Sequence, residues 1–384
     1  MAHSDRLAAE PEKGVSMNPT QTPAYGPARE ELGPPAERDA ASRPQGPGDP
    51  LFWRETLAPY AQPNFTRAMI DLATSVVPYL LLSGAIYFCL SVSVLLALAL
   101  AVPAAALLVR TFIVFHDCSH GSFLASRRAN NWLGTALGIL LYVPFLRWRH
   151  DHAVHHATSG DLERRGVGDI RTLTVTEYHA LAWRARLAYR LSRNPLLMFG
   201  LGPVLAMMIG PRIVARNARP RMRRSVLATN AALAVLVGGL CWLLGWRDYL
   251  LVMIPPGLLA GSAGIWLFYV QHQFEDAYWE SRETWSYADA ALRGSSFLKL
   301  PRPLQFFTGN IGYHHVHHLS ARIPNYNLQR AHEENPIFHD VPILSLWDGV
   351  RAVTLKLWDE DSRRLVTFGQ ARRSIAAAYA SSQA

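Results

Sequence analysis

The chain is poor in charged residues and in cysteine. Charged side chains make up 17% of its 384 residues, against about 25% in typical soluble proteins, and half of the residues are hydrophobic. The three cysteines stand far apart, which excludes a disulfide framework and a cysteine-based zinc site. This composition also excludes a disordered chain and a coiled coil. It predicts an all-α, polytopic membrane protein with sizeable polar segments.

The first 50 residues lack the continuous apolar stretch of a secretory signal. They contain nine of the 25 prolines and a net charge of −3, so we predict a disordered, proline-rich tail over 1–50. The whole chain has a formal net charge of +9. Because arginine beside membrane spans faces the cytoplasm and anionic headgroups, we expect membrane lipids as partners of this basic surface and no nucleic acid.

Long apolar runs predict four membrane spans. The run Leu72–Val109 has 38 residues without a charge, and one crossing needs about 20. It therefore holds two spans joined by a turn near Ser91–Ser93. Ser225–Trp246 and Tyr249–Val270 each suffice for one more span, and only Arg247 and Asp248 separate them. We expect two hairpins, with spans at about 70–90, 93–115, 225–246 and 249–270.

Two further apolar runs, Trp132–Leu146 and Pro195–Ile209, are short enough to be buried, interfacial or re-entrant segments. Arginines crowd the segment 116–224, whereas the hairpin tips offer only Arg247. The positive-inside rule then places both termini and this segment in the cytoplasm. We expect one membrane domain over 51–345, followed by a cytoplasmic helical segment over 346–384.

Eleven of the 15 histidines fall in four short places. On a helix, residues three or four positions apart share one face. The clusters within 150–156 and 314–318 therefore each present three histidines on one helix face, and His150 and His315 fall outside these faces. The histidines that share a face or stand next to a span are His116, His120, His152, His155, His156, His272, His314, His317 and His318.

Neutral imidazole binds first-row transition metals well, and nine imidazoles exceed the four to six ligands of one ion, which indicates two metal ions. A single metal centre requires all of these histidines to lie on the same side of the membrane. The two short apolar runs then cannot cross, and we expect them to lie in the cytoplasmic interface, under a histidine-rich cap. The segments 132–146 and 195–211 are candidates for the floor of an apolar tunnel.

The residues around these histidines resemble the membrane fatty acid desaturase family over about residues 65–340. The order and spacing of the histidine clusters, which this family calls histidine boxes, and the position of the spans between them all fit. Several stretches are similar to the bacterial acyl-lipid Δ12 or omega-6-like branch of the family. The stretches that carry the resemblance are Phe115–Phe123, Trp148–Arg149, Gly160–Asp169, Gln271–Glu275 and Gly309–Leu319.

This resemblance implies a non-haem di-iron centre whose ligands are the nine histidines named above, with Asn310 near the metal and O2 as co-substrate. It implies an oxidoreductase that introduces a cis double bond into a lipid-linked fatty acyl chain by hydrogen abstraction, in a bacterial inner membrane. Carboxylates near the boxes are candidates for fixing the imidazole tautomers. They are Asp117, Asp151, Asp169 and Glu275.

Electrons for this chemistry would come from a separate ferredoxin or cytochrome, because the sequence has no flavin or dinucleotide fingerprint. We interpret His332 and His339 as surface residues. A hydroxylase or ketolase with the same di-iron site remains an alternative, since oxygen rebound can replace the second hydrogen abstraction. A metal transporter is disfavoured, because transport needs polar ligands along the spans, whereas the spans hold no acidic residue past Asp71 and the histidines gather at one end.

Overall fold

The computed structural model describes residues 50–382 except residue 217, so the predicted tail lies outside the described residues apart from Pro50. Most of the described chain is helical. In chain order, its α-helices are α1 (Pro50–Leu57), α2 (Phe65–Leu90), α3 (Val94–His120), α4 (Arg127–Leu140), α5 (Phe145–Thr158), α6 (Val175–Ala180), α7 (Trp183–Ser192), α8 (Pro220–Leu244), α9 (Trp246–His272), α10 (Tyr287–Leu292), α11 (Arg302–Phe307), α12 (His314–Leu319), α13 (Asn325–Glu334), α14 (Leu346–Ala352) and α15 (Phe368–Ser382).

Short irregular helices and strands fill the connections. The 3-10 turns are Ala58–Ala61, Gly210–Arg212 and Pro336–Phe338, and the π-helical stretches are Leu197–Leu201 and Val204–Ile209. The strands are β1 (Leu173–Thr174), β2 (Phe297–Leu298), β3 (Ile343–Leu344), β4 (Leu357–Asp359) and β5 (Arg364–Val366).

The strands form two small sheets. β4 pairs antiparallel with β5 and parallel with β1, so that Leu357 lies opposite both Val366 and Leu173. β2 pairs parallel with β3. The predicted all-α class is confirmed, but the C-terminal segment is not helical throughout. A β4–β5 hairpin lies between α14 and α15. Buried apolar residues of both strands pack against the segment that contains β1, which stabilises the hairpin.

The four predicted spans correspond to four long helices, α2, α3, α8 and α9, each apolar and long enough to cross a membrane. Ser93 begins α3 by accepting a hydrogen bond from the backbone N–H of Leu96, which makes the first hairpin tight. Gly245, with φ of 83°, joins α8 to α9. Large apolar side chains on these helices face outward; Trp242 and Leu95 are 87% and 79% exposed. Such a surface is stable only against lipid.

Two of these helices extend beyond the apolar runs. α3 continues from Val109 to His120, and α9 continues to His272. The sequence predicted ends near residues 115 and 270. The extension matters because it places the first histidine pair and His272 on rigid helix ends rather than on loops.

Two bent helix pairs decide between four and six crossings. α4 and α5 meet at 105°, and α7 meets the segment Leu197–Arg212 at 64°. By length and composition each pair would count as a further crossing. However, the Nε2 atoms of His116, at the end of α3, and His152, on α5, are 2.9 Å apart. The chain between them therefore returns to the side it left, and the same reasoning applies to the second pair because the ring of His272 adjoins that of His155.

Candidate metal centre

Each histidine cluster lies on a helix whose local sequence fixes its direction. His116 and His120 occupy the last turn of α3, which ends at Gly121 with φ of 71°. Their ring centroids are 4.8 Å apart, as expected for positions i and i+4. The cluster from His150 to His156 occupies the last three turns of α5, and the cluster from His314 to His318 forms most of α12.

Five of the histidines form a first histidine group, defined as His116, His120, His152, His156 and His317. One ring nitrogen of each lies within 4.8 Å of the others. The Nε2 atom of His152 is 2.9 Å from that of His116 and 3.1 Å from that of His156. The Nε2 atom of His156 is 3.0 Å from that of His317. Five imidazoles from three helices therefore point at one small volume.

The remaining four form a second histidine group, defined as His155, His272, His314 and His318. The Nε2 atom of His155 is 3.2 Å from that of His318, and the Nε2 atom of His314 is 2.9 Å from that of His272. All four residues are buried.

The two groups adjoin because α5 and α12 each contribute to both. On α5, His152 and His156 belong to the first group, whereas His155 belongs to the second. The rings of His156 and His318 stack with centroids 4.2 Å apart, which joins the groups directly. The structure thus brings together all nine histidines that the sequence placed on shared faces or beside spans.

Burial keeps five of these imidazoles in the neutral form, which is the form that binds metals. It lowers the pKa well below the usual value, and neighbouring histidines lower it further, for His152, His156, His314, His317 and His318. A neutral imidazole offers a lone pair to a metal, whereas an imidazolium does not. Some buried ring nitrogens have no hydrogen-bond partner among the described residues, including Nε2 of His120.

One carboxylate supports each group from behind. The Nδ1 atom of His116 is 3.3 Å from Oδ1 of Asp117, and Nδ1 of His155 contacts Oδ1 of Asp169. A carboxylate on Nδ1 fixes the tautomer that directs the Nε2 lone pair toward a metal. In the second group, Nδ1 of His272 also lies 3.2 Å from the carbonyl oxygen of Gly294.

Other candidates from the sequence lie elsewhere. Asp151 contacts Arg147 and His150, and exposed Glu275 lies 3.5 Å from Arg364. Asn310, with φ of 57°, donates its side-chain amide to the carbonyl of Asn325. The ion pairs of Asp151 and Glu275 therefore do not include a histidine of either group.

The histidines outside the shared faces are also outside both groups. His150 is exposed, with its Nδ1 3.2 Å from Asp151. His315 is fully buried, and its Nε2 lies 3.0 Å from Nδ1 of His332. The prediction that His332 is a surface residue is therefore wrong, because aromatic residues and His315 cover one side of its ring. His339 is exposed, as predicted.

An apolar cavity of about 250 Å³ lies between the spans. Both short apolar segments line it, through residues such as Leu140 and Met207, together with α3 and α9. Phe112, which lines the cavity, stands one helical turn before His116, about 6 Å along α3. The hydroxyls of Tyr142 and Tyr249 bond to each other in this otherwise apolar wall.

The model of the fatty acid desaturase family matches residues 91–345. This chain belongs to the fatty acid desaturase family. It is 48% identical to a fatty acid desaturase of Bacillus subtilis over 312 residues, which cover 81% of this chain and 89% of that relative. The family makes this desaturase an oxidoreductase of lipid metabolism, and its apolar helices make it a membrane protein.

Two proteins of Synechocystis sp. are more distant relatives of this desaturase. The sn-1 acyl-lipid omega-3 desaturase (ferredoxin) is 30% identical over 239 residues, or 58% of this chain and 62% of the relative. The sn-1 oleoyl-lipid 12-desaturase is 28% identical over 228 residues, or 59% of this chain and 64% of the relative. The matches cover less than two thirds of these two relatives.

Several contacts around the site were not predicted from the sequence. Trp148 stacks on His152 with centroids 4.3 Å apart, and Phe268 contacts the rings of His155 and His272. Asn325 bonds to Asp117. An aromatic residue four positions before a box histidine, as in both aromatic cases, is a signal that could have found the first two. Nothing in the local sequence distinguishes Asn325.

Proposed function

We propose that this desaturase is an O2-dependent di-iron enzyme that introduces a cis double bond into a lipid-linked fatty acyl chain. The observation that carries the proposal is the convergence of nine buried histidines into two adjoining groups beside an apolar cavity. Each group would hold one iron ion. We further propose that the site faces the cytoplasm from a bacterial inner membrane, because the arginine-rich segment 116–224 itself contains two of the histidine clusters.

The donor set fits two iron ions. In the first group the Nε2 atoms approach one another to 2.9, 3.0 and 3.1 Å, so several ring nitrogens converge where they could bind one shared ion. Imidazole suits iron, and Asp117 and Asp169 supply the outer hydrogen bonds that such ligands usually make.

Breaking an unactivated methylene C–H bond is beyond acid–base catalysis, and the bound iron pair would supply the O2-dependent redox chemistry. The overall balance is one O2, two hydrogens from adjacent carbons, two electrons from the donor and two protons, giving a double bond and two water molecules. The protein would hold the nine imidazoles in place around the metal centre, with their rings buried or nearly so. It also keeps water away, because the rings of Trp148 and Phe268 cover the groups.

The apolar cavity suits an acyl chain. Its walls come from α3, α9 and the two short apolar segments, and Phe112 in its lining stands one helical turn before His116. An acyl chain that enters from the bilayer would reach the groups past Phe112, and the depth of the cavity would set which carbons stop there. The relatives named for acyl-lipid substrates support a lipid-linked chain.

We propose a ferredoxin as electron donor, since one relative carries this donor in its name. The arginine-rich surface between the second and third spans would complement an acidic carrier. A purified system with reduced ferredoxin should sustain turnover, and replacement of ferredoxin by buffer should stop it.

Expression in a host that lacks polyunsaturated lipids tests the proposed function. We expect mass spectrometry to find fatty acids that have lost two hydrogen atoms, and none in a matched culture that expresses the His155→Ala variant. Labelled acyl chains already in phospholipid should be desaturated after new fatty acid synthesis is blocked, if the substrate is lipid-linked. Products that have gained oxygen would instead identify a hydroxylase.

A further inference from the structure

A buried polar network runs from the facing parts of α2 and α3, just outside the charge-free run, to the first histidine group. Asp71 on α2 and Arg110 on α3 form a buried ion pair, with exposures of 5% and 9%. Arg110 also donates a hydrogen bond to the carbonyl of Phe306. Arg110 lies six residues before His116, which is about 9 Å along the helix axis. Ionisable groups at such a position are costly and call for a functional reading.

Asn325 connects this ion pair to the site. Its side-chain Nδ2 donates to Oδ2 of Asp71 at 2.8 Å and to Oδ2 of Asp117 at 3.0 Å. Its backbone N–H also donates to Oδ2 of Asp117, at 2.7 Å. The other oxygen of Asp117 remains directed at Nδ1 of His116, 3.3 Å away.

The chemistry of the amide explains why asparagine stands here. An amide nitrogen carries two hydrogens, so Asn325 can donate one to each of two carboxylates that would otherwise repel each other. A carboxylate side chain at this position could donate neither bond. An apolar side chain would leave Oδ2 of Asp71 without this donor and Oδ2 of Asp117 with only the backbone N–H of residue 325. Residue 325 is 2% exposed, so water cannot replace the lost donors.

We propose that Arg110, Asp71 and Asn325 form a positioning network that fixes the Asp117 carboxylate and, through it, the orientation of His116 in the first histidine group. The inference rests on the proposed metal centre and assigns residues beyond the histidines and their carboxylates. The network acts on one group only, because the carboxylate behind the second group, Asp169, has no such support: its Oδ2 is buried without a hydrogen-bond partner among the described residues.

The chain provides a matched control. Asn327 lies on the same helix, α13, and is also buried, at 8% exposure. Its side chain makes two hydrogen bonds, one from Arg67 at 3.0 Å and one to the carbonyl of Tyr60 at 2.8 Å. Asn327→Leu therefore removes a similar number of structural bonds from the same helix without touching Asp117.

The test is Co(II) titration of the full-length protein in detergent, without a histidine tag and after chelation of bound metal, followed by the visible absorption of Co(II). Wild-type protein should bind two ions. Asn325→Leu should bind one of them 10- to 100-fold more weakly, the usual effect of losing an outer-shell partner, and should change one component of the spectrum. Asn327→Leu should bind both ions as wild type does.

Equal weakening in both variants, or no weakening in Asn325→Leu, would overturn the network while leaving the metal centre intact. Wild-type protein that binds no Co(II) would overturn the metal centre and the network together. If Asn325→Leu does not elute as a single species on size exclusion, Asn325→Ser takes its place, because serine is too short to reach both carboxylates.

The distal half of the network has its own test. The double variant Asp71→Asn with Arg110→Gln removes both charges but keeps groups that can hydrogen-bond. We expect a smaller loss of Co(II) affinity, about threefold, at the same ion that Asn325→Leu weakens. An affinity within error of wild type would exclude Asp71 and Arg110 from the network.

Discussion

The two histidine groups are built from the same helices but supported differently. The first has five imidazoles, and its carboxylate, Asp117, is anchored through Asn325. The second has four, and its carboxylate, Asp169, has a free oxygen among the described contacts. A group with fewer protein ligands leaves more room for exogenous ligands at its metal, and a loosely held carboxylate allows its histidine to adjust.

The basic residues near the two groups also differ in whether a carboxylate pairs with them. Behind the first, Arg110 is neutralised by Asp71. Behind the second, the side chain of Arg193 donates to Gln273, the residue after His272, and contacts the hydroxyl of Tyr269. Neither Arg193 nor nearby Lys356 forms an ion pair with a carboxylate among the described residues. The comparison teaches that the arginine near the first group is paired with a carboxylate, whereas the two basic residues near the second have no carboxylate partner among the described residues.

Removal of a ligand should have the largest effect. His155→Ala opens the second group, and we expect loss of product by more than 100-fold together with loss of bound iron. His150→Ala, on the same helix but exposed, should keep activity within about twofold. Lipid analysis and iron content measure both variants. Similar losses in the two would contradict the assignment of histidines to helix faces.

Neutralisation of the loosely held carboxylate should come next. Asp169→Asn keeps an acceptor near His155 but removes its charge, and we expect metal affinity to fall about 10- to 100-fold at one ion. Asp151→Asn is the control, because the Asp151 side chain pairs with Arg147 and exposed His150 rather than with a histidine of either group. Co(II) titration measures both. If Asp169→Asn weakened both ions equally, the two groups would not be independent.

Filling of the cavity should change specificity rather than metal binding. A Cβ atom at Gly257 would meet no atom within 4 Å, and this residue lines the cavity. Gly257→Leu should therefore fold and should shift the preferred acyl chain to a shorter one, several-fold in product ratio. Gly239→Leu, at an exposed position of α8 that is equally open, is the control. Unchanged product ratios from competing chain lengths would place the acyl chain elsewhere.

The smallest effect concerns the positive charge behind the second group. Burial, reinforced by Arg193, lowers the pKa of Lys356 to about 7, whereas an unfolded lysine has a pKa of about 10.4. Between these values the unfolded chain binds more protons than the folded one, so this residue makes stability rise with pH. At pH 7, Lys356→Met should raise Tm by a few degrees, and the difference should shrink toward pH 10.

Exposed Lys299 provides the control for that measurement, since Lys299→Met removes the same charge without changing a buried cation. A Tm gain that is constant from pH 7 to pH 10 would show that the effect of Lys356→Met comes from packing alone.

Periodicity and length were sufficient for much of the architecture. The charge-free run gave the first hairpin, and helical spacing separated His152, His155 and His156 from His150. The sequence also contained an unused signal: Asp71 and Arg110 stand immediately outside the two ends of the charge-free run. Because that run folds into a hairpin, its ends must meet, and the ion pair between them was predictable.

The amino-acid sequence by itself determined which residues can cross a membrane and which histidines share a helix face, because both depend only on local spacing. Only the tertiary structure decided how the nine histidines divide into two groups, since α5 and α12 contribute to both. It also decided that Asn325, more than 200 residues away in sequence, supports Asp117. Long-range contacts of this kind depend on how helices pack, and no local pattern records that.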